Sequence, residues 1–215
     1  MRSDIQTGVI ARTKTGLCSL LSRLRRDHRG VAAVEFAMVV PIMFIMFIGS
    51  IELSRALTVD RRIANSANAS ADLAARAPVA GLSTADVDAL MLIVNQLMLP
   101  YDVTPLTVKI VSVKAVLVNG STQILVDWSR DNHGNTPYAR NSSYATLPVT
   151  SPPFLSAGQS VIVGEATYNY QPFVVSYFIT SAINMKETFY LKPRNSSCVN
   201  LLPINCVTGA TIAGK

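Results

Sequence analysis

Glu35 is the residue whose type and surroundings carry the clearest chemistry. It is the only charged side chain in residues 31–51, which read VAAVEFAMVVPIMFIMFIGSI, and it follows Gly30 by five positions. A carboxylate inside a bilayer costs about 2 to 3 kcal/mol, so its presence in such a run implies a partner. The alternative is that Glu35, near one edge of the run, only reaches the headgroup layer.

Two cysteines form a second candidate site. Cys198 and Cys206 lie close together near the C-terminus, and Cys18 lies far from both. In an oxidising compartment the first two would form a disulfide, with two free thiols as the alternative. A metal site is not expected, because no histidine lies near them and zinc usually takes four ligands.

Other possible sites have ordinary structural explanations. Asp127, Asp131 and His133 resemble a set of metal ligands, but they fall on a strand end and a DNHGN turn, where such residues are favoured for backbone reasons. The chain has two histidines and neither a G-x-S-x-G motif nor a P-loop or dinucleotide fingerprint. We therefore expect no enzyme activity, catalytic residue, metal, cofactor or small-molecule substrate.

The apolar run is long enough to cross a membrane. A hydrocarbon core of about 30 Å needs about 20 helical residues, and this run has 21. A buried core helix is a weaker alternative, because the run is apolar on all faces. A cleavable secretory signal is another alternative, but its apolar region would be shorter, and Ser50-Ile51-Glu52 is a poor cleavage site. Pro41 inside the run is expected to kink the helix.

The distribution of charge predicts the topology and excludes a nucleic-acid partner. The net charge is +6, but residues 1–30 hold seven basic and two acidic side chains, against twelve and eleven in the remainder. A nucleic-acid-binding domain would spread its basic residues over a folded surface. Cations before an apolar span instead indicate a cytoplasmic N-terminus and an extracytoplasmic C-terminal domain.

The rest of the sequence predicts an α+β fold. The helix should continue through residues 53–78 as a stalk with a narrow face of small residues, and Glu52 should pair with Arg55 at the outer end of the span. A second helix is expected over Ala85–Met98, capped by Ser83 and Thr84, with a buried stripe of Leu90, Ile93, Val94, Leu97 and Met98. An antiparallel sheet of about four strands follows, over Leu106–Val118, Thr122–Ser129, Gln159–Tyr170 and Met185–Leu191. Asn119-Gly120 is a hairpin turn signal, residues 131–159 are predicted to form a long loop, and Phe173–Ile183 is apolar and left unassigned.

The join of the basic segment to the apolar helix resembles the processing site of type IV pilins. Gly30 followed by Glu35-Phe36 is similar to the G-x4-E-Y pattern of the Flp pilins, with Phe36 where that group has Tyr. The longer run RGVAAVEFAMVVPIMFIMFIGSIELSRAL resembles the TadE-like family, pseudopilins of the tight-adherence (Tad) pilus machinery. The resemblance is strong over residues 25–60 and weaker at GEATYNYQPF and SAINMKETFYLKPR.

This resemblance implies a pilin-like fold and a minor pseudopilin in the bacterial inner membrane. It implies cleavage by prepilin peptidase after Gly30, and pairing of the new α-amine of Val31 with Glu35 of a neighbouring subunit. The expected partners are prepilin peptidase, other pilins or pseudopilins, the pilus assembly platform and the membrane. The expected organisation is a basic cytoplasmic leader (1–30), a transmembrane helix (31–52), a helical stalk (53–78) and an extracytoplasmic domain (79–215). The alternative is an uncleaved, signal-anchored periplasmic domain that binds an envelope partner.

Overall fold

The computed structural model describes residues 30–118, 121–145, 147, 155–172 and 182–206. The predicted leader before Gly30, the predicted turn at Asn119-Gly120, Pro152-Pro153 and residues 173–181 lie outside this description. The chain divides into two compact units, residues 1–51 and 52–215. The elements are helix α1 (Val31–Ala75), β1 (Leu82–Ser83), α2 (Thr84–Gln96), β2 (Leu106–Val118), β3 (Ser121–Asp131), β4 (Ser160–Tyr170), β5 (Ile183–Leu191) and β6 (Leu201–Leu202).

The four long strands form one antiparallel sheet in the order β3-β2-β4-β5. The predicted α+β class is therefore confirmed, with a long N-terminal helix, a short second helix and a four-stranded sheet. Strand β2 lies inside the sheet and pairs with β3 on one side and β4 on the other, where Ile110 faces Gly164 in register. A bulge between Ser112 and Val113 inserts one extra residue into β3.

Helix α1 packs on one face of this sheet through the small-residue face that the sequence predicts. Within the second unit, Val59, Ile63, Ala67, Ala71 and Ala74 recur every three or four residues and are buried. They share a core with strand residues Leu106, Val108, Ile110, Ile162 and Ala166.

Gly164 shows how close this contact is. An ideal Cβ built on Gly164 would lie 2.1 Å from the carbonyl oxygen of Ala67 and 2.6 Å from Oγ of Ser70. Only a glycine on the strand and small residues on the helix allow the two backbones to approach this closely.

The opposite face of the sheet has its own apolar cluster. It contains strand residues Val111, Val113, Val126, Val161 and Val163, together with Tyr144, Leu147 and Leu155 from the segment between β3 and β4. The described parts of the predicted long loop therefore cover this face, which explains why β2 and β4 are buried on both sides.

Helix α2 begins with a capping box. The Ser83 side chain accepts a hydrogen bond from the Asp86 backbone N–H, and the Asp86 carboxylate accepts one from the Ser83 N–H. Its buried residues are Val87, Met91 and Val94. The predicted buried stripe was partly wrong, because Ile93 and Leu97 are 57% and 38% exposed.

Candidate processing and assembly site

Gly30 is the first described residue and directly precedes helix α1. It has a 3₁₀ conformation, and α1 starts at Val31. Gly30 is exposed, and an ideal Cβ at this position would meet no atom within 4 Å among the described residues. The fold of the described chain therefore gives no steric reason for a glycine here, unlike at Gly164.

Glu35 and Phe36 project from the first two turns of α1. Both are exposed, Phe36 by 69%. Val31 and Glu35 are four positions apart, so they lie on the same helical face about 6 Å apart along the axis. Within the described part of the chain, no ion pair involves Glu35. The predicted site residues are thus grouped on one accessible end of the helix, and their roles remain predictions.

The apolar run is long enough and apolar enough to cross a membrane by length and composition. Its most apolar 18-residue window has a mean hydropathy of 2.5 and no buried residue. A core helix of a soluble protein would be mostly buried, so the core-helix alternative is disfavoured. Pro41 lies inside the helix, where it removes one backbone donor, and α1 continues past it. The run is therefore compatible with a single-pass membrane anchor.

The two C-terminal cysteines are joined as one disulfide. Cys198 and Cys206 are bonded with their Cα atoms 6.3 Å apart, within the ordinary range. The bond closes a loop that contains β6, which pairs in parallel with β1. The same loop accepts a hydrogen bond from Trp128, whose indole Nε1 lies 2.7 Å from the carbonyl oxygen of Val199.

Comparison with known families gives a match over the N-terminal part of this structure. The family model described as TadE-like protein matches residues 30–72. This segment is similar to the TadE-like family. The match begins at Gly30 and covers nearly all of α1, which confirms the family resemblance. No curated protein and no solved structure matches the chain.

The TadE-like match supports a structural component associated with a Tad pilus in general. It ends at Asp72, so the α2 and sheet region lies beyond the matched residues.

The TadE-like segment contains one long-range contact that could not be predicted from the sequence. The expected pair of Glu52 with Arg55 stays a prediction, and Oε1 of Glu52 accepts a hydrogen bond of 2.8 Å from Tyr170 at the end of β4. Burial, followed by this hydrogen bond, raises the pKa of Tyr170 to about 12. Tyr170 belongs to the GEATYNYQPF motif, so the motif supplies a partner for the helix.

A buried carboxylate beyond the TadE-like segment was also missed. Glu165 is 1% exposed and accepts hydrogen bonds from Tyr144 at 2.5 Å and Tyr138 at 3.0 Å. Lys186 Nζ lies 4.0 Å from its Oε2. Burial and the Glu165 charge raise the pKa of Tyr138 to about 12. The sequence signal for this contact was the single charged residue, Glu165, in the apolar run SVIVGEATY, because a buried carboxylate needs hydrogen-bond donors.

A buried ionic pair joins β2 to β3. Lys114 Nζ lies 3.1 Å from Oδ1 of Asp127, and the two side chains are 5% and 1% exposed. Arg140 from the following loop lies 3.5 Å from the same oxygen. These contacts give Asp127 a structural role in the sheet.

The DNHGN turn is held by the side chain of its first residue. Asp131 Oδ1 accepts hydrogen bonds from the N–H groups of His133 at 3.0 Å and Asn135 at 2.7 Å. Within the described ranges, no group of three or more His, Cys, Asp or Glu residues is arranged to hold a metal ion.

Proposed function

We propose that this chain is a minor pseudopilin-type structural component of a Tad (type IVb-like) pilus assembly system, processed by prepilin peptidase after Gly30. The leader would be cytoplasmic, α1 would span the inner membrane once, and residues 79–215 would be periplasmic. The expected partners are the peptidase, other pilins or pseudopilins and the assembly platform.

The observation that carries this proposal is that the TadE-like match begins at Gly30, directly before helix α1. The apolar side chains in the first half of this helix are exposed. A glycine that no described neighbour requires fits a bond that a peptidase must approach closely. Removal of the leader would also remove seven basic side chains from the foot of the helix, where they oppose close helix packing.

The position of Glu35 supports the assembly step. After cleavage, the α-amine of Val31 and the Glu35 carboxylate would lie one helical turn apart on an exposed face. A neighbouring subunit shifted by about 6 Å along the axis could pair its amine with this carboxylate. In a low-dielectric setting such a pair is stronger than a surface salt bridge, and it would set the axial register between subunits.

The test is the N-terminus of the membrane-purified protein. Terminal sequencing or intact mass should show that the protein begins at Val31 in a strain with active prepilin peptidase. Gly30→Leu should leave the 23.2 kDa chain uncleaved. Gly49→Leu is the matched control, because its Cβ also meets no atom within 4 Å and it should be cleaved normally.

Glu35→Ala separates processing from assembly. It should be cleaved largely as the wild type but fail to assemble with pilus subunits, because only the intersubunit pair is lost. Retention of Met1 in the wild type would contradict the processing step and favour the uncleaved anchored domain that binds an envelope partner.

A further inference from the structure

Helix α2 carries apolar residues on two opposite faces. One face is buried in the core of the second unit. The other face, which we call the outward stripe, includes Leu92 and Ile93, which are 66% and 57% exposed. Its remaining exposed members are Ala85, Ala89 and Gln96, which recur at helical spacing with the first two. A helix that is apolar all round is normally buried, so we expect another surface to cover this stripe.

Asp86 places a negative charge beside the outward stripe. Its carboxylate accepts hydrogen bonds from the Ser83 hydroxyl at 2.7 Å and the Ser83 N–H at 2.8 Å, and these bonds lower the pKa of Asp86. The other carboxylate of the helix, Asp88, pairs with Arg130. Residues 84–96 contain no lysine or arginine. A surface that matches the stripe should therefore be apolar and carry a cation at one end.

The same chain presents such a surface on the part of α1 that belongs to the second unit. Leu53 and Leu57 are 61% and 52% exposed, and Arg61 is exposed as well. These three residues are four positions apart, so they lie on one side of the helix, which we call the leucine face. Among the ion pairs of the described residues, none involves Arg61.

The spacing along the two surfaces matches when the helices run antiparallel with Arg61 beside Asp86. Leu57 and Leu53 lie about 6 and 12 Å from Arg61 along the axis of α1. On α2, Ala89 lies about 4.5 Å from Asp86, and the two large residues of the stripe lie about 9 and 10.5 Å from it. Leu57 then faces the small Ala89, Leu53 faces the large residues, and the two charges pair.

We propose that the outward stripe of α2 docks on the leucine face of a second copy of this chain. The two surfaces differ, so the contact is heterologous, and a pair of subunits leaves one surface of each kind free for the next subunit. This contact deepens the proposed function, because it rests on the chain being an assembling subunit and names the surfaces that meet. It does not require cleavage after Gly30.

The test is disulfide cross-linking of the full chain in membranes, with two differently tagged copies that both carry Cys18→Ser. One copy has Leu57→Cys and the other has Ala89→Cys, and mild oxidation should join them into a product with both tags. Asn68→Cys in place of Leu57→Cys is the matched control, because it lies about 15 Å along the axis from Ala89 in this arrangement. It should give about tenfold less product, since a disulfide needs Cα atoms within about 7 Å.

Ile93→Asp tests the apolar part of the contact. It should lower the amount of two-tag product at least about tenfold, because a carboxylate without a partner would be buried. Leu117→Asp, at a 40% exposed apolar residue near the end of β2, is the matched control and should leave the product unchanged. An unchanged thermal unfolding midpoint shows that each variant is folded.

A charge exchange tests the ionic part. Arg61→Glu and Asp86→Lys should each lower the amount of two-tag product, and the two together should restore it, because the pair re-forms with opposite signs. Asp86→Lys also removes the capping box of α2. Where that variant fails to fold, Arg61→Lys should keep the product that Arg61→Glu loses.

Other occupants of the stripe would give different results, and each would overturn the proposal. Efficient cross-linking of Ala89→Cys to itself would show that α2 meets α2 in a symmetric contact. Equal product from the Asn68 and Leu57 variants would indicate random collision. A photo-reactive residue at Ile93 that joins another protein instead of this chain would identify a different partner.

Terminal sequencing of the same membranes separates this contact from the processing step. Chains that begin at Val31 but give no two-tag product would overturn the contact and leave the proposed function standing. Two-tag product from chains that retain Met1 would support the contact and contradict the processing step.

Discussion

The hydroxyl of Tyr170 donates a hydrogen bond of 2.8 Å to the carboxylate of Glu52, across 118 positions of sequence. Both residues are buried, with 6% and 8% exposure. Glu52 is the first residue of the second unit, and Tyr170 is the last residue of β4. The hydrogen bond therefore joins the start of the helix in the second unit to the end of strand β4.

Tyr170→Phe should lower the free energy of unfolding by about 1.5–3 kcal/mol, because a hydrogen bond to a buried charge is lost. Tyr168→Phe is the matched control: its hydroxyl donates to the neutral backbone carbonyl of Asp102, so the loss should be about 1 kcal/mol. Denaturant unfolding of the full chain in detergent measures both. Equal losses would show that the Glu52 charge adds nothing.

Stability should also fall in alkaline solution. The pKa values of Tyr138 and Tyr170 are raised to about 12 in the folded protein from 10. Since raised pKa values favour the protonated form, the stabilisation is fully present below pH 10 and is lost as the pH rises towards 12. Tyr138→Phe should make this loss shallower than in the wild type when unfolding is measured from pH 9 to 12. Parallel pH profiles for the two proteins would contradict the coupling to Glu165.

Gly164→Ala should destabilise the domain by about 3 kcal/mol or more, or prevent folding. The added methyl would meet the Ala67 carbonyl oxygen at 2.1 Å, and a helix backbone cannot yield as a flexible side chain can. Gly49→Ala, where no atom lies within 4 Å, should leave the unfolding transition unchanged. A folded Gly164→Ala protein of wild-type stability would show that α1 does not pack this closely on β4.

Topology and disulfide formation can be tested together. A reporter that is active only outside the cytoplasm should be active when fused at Lys215, because the basic residues of the leader favour a cytoplasmic N-terminus. Cys198 and Cys206 should then resist alkylation until a reductant is added. Activity of a cytoplasm-only reporter at Lys215, or two alkylatable thiols without reductant, would refute the orientation.

Local patterns were sufficient to predict most of the fold. Strand β2 was predicted with its observed bounds, and β3, β4 and β5 differ by at most two residues at either end, because β-branched alternation is a local signal. The exposure of Ile93 and Leu97 was not predictable, because the helical pattern does not specify which of two adjacent apolar faces meets the sheet. Strand order was likewise beyond local patterns.

For the same reason, only the local part of the candidate site could be predicted from the sequence. Gly30 and Glu35 lie within six residues of each other, so their arrangement could be predicted from sequence. The partners of Glu52 and Glu165 come from distant segments, and only the folded chain brings them together. A charged residue in an apolar run showed that a partner was needed but not which residue would supply it.

The C-terminal end of α1 is also held by hydrogen bonds and an ion pair, and these contacts have a mechanical consequence. The side-chain amide of Asn195 donates to the carbonyl oxygens of Arg76 and Ala77, and the backbone N–H of Arg194 donates to the carbonyl oxygen of Ala75. The guanidinium of Arg194 also pairs with Asp72. Tyr170 holds Glu52, where the second unit begins, so a pull along this part of the helix loads these bonds and the packed face between them in shear at the same time. A force on the helix of the second unit would therefore move the sheet together with it.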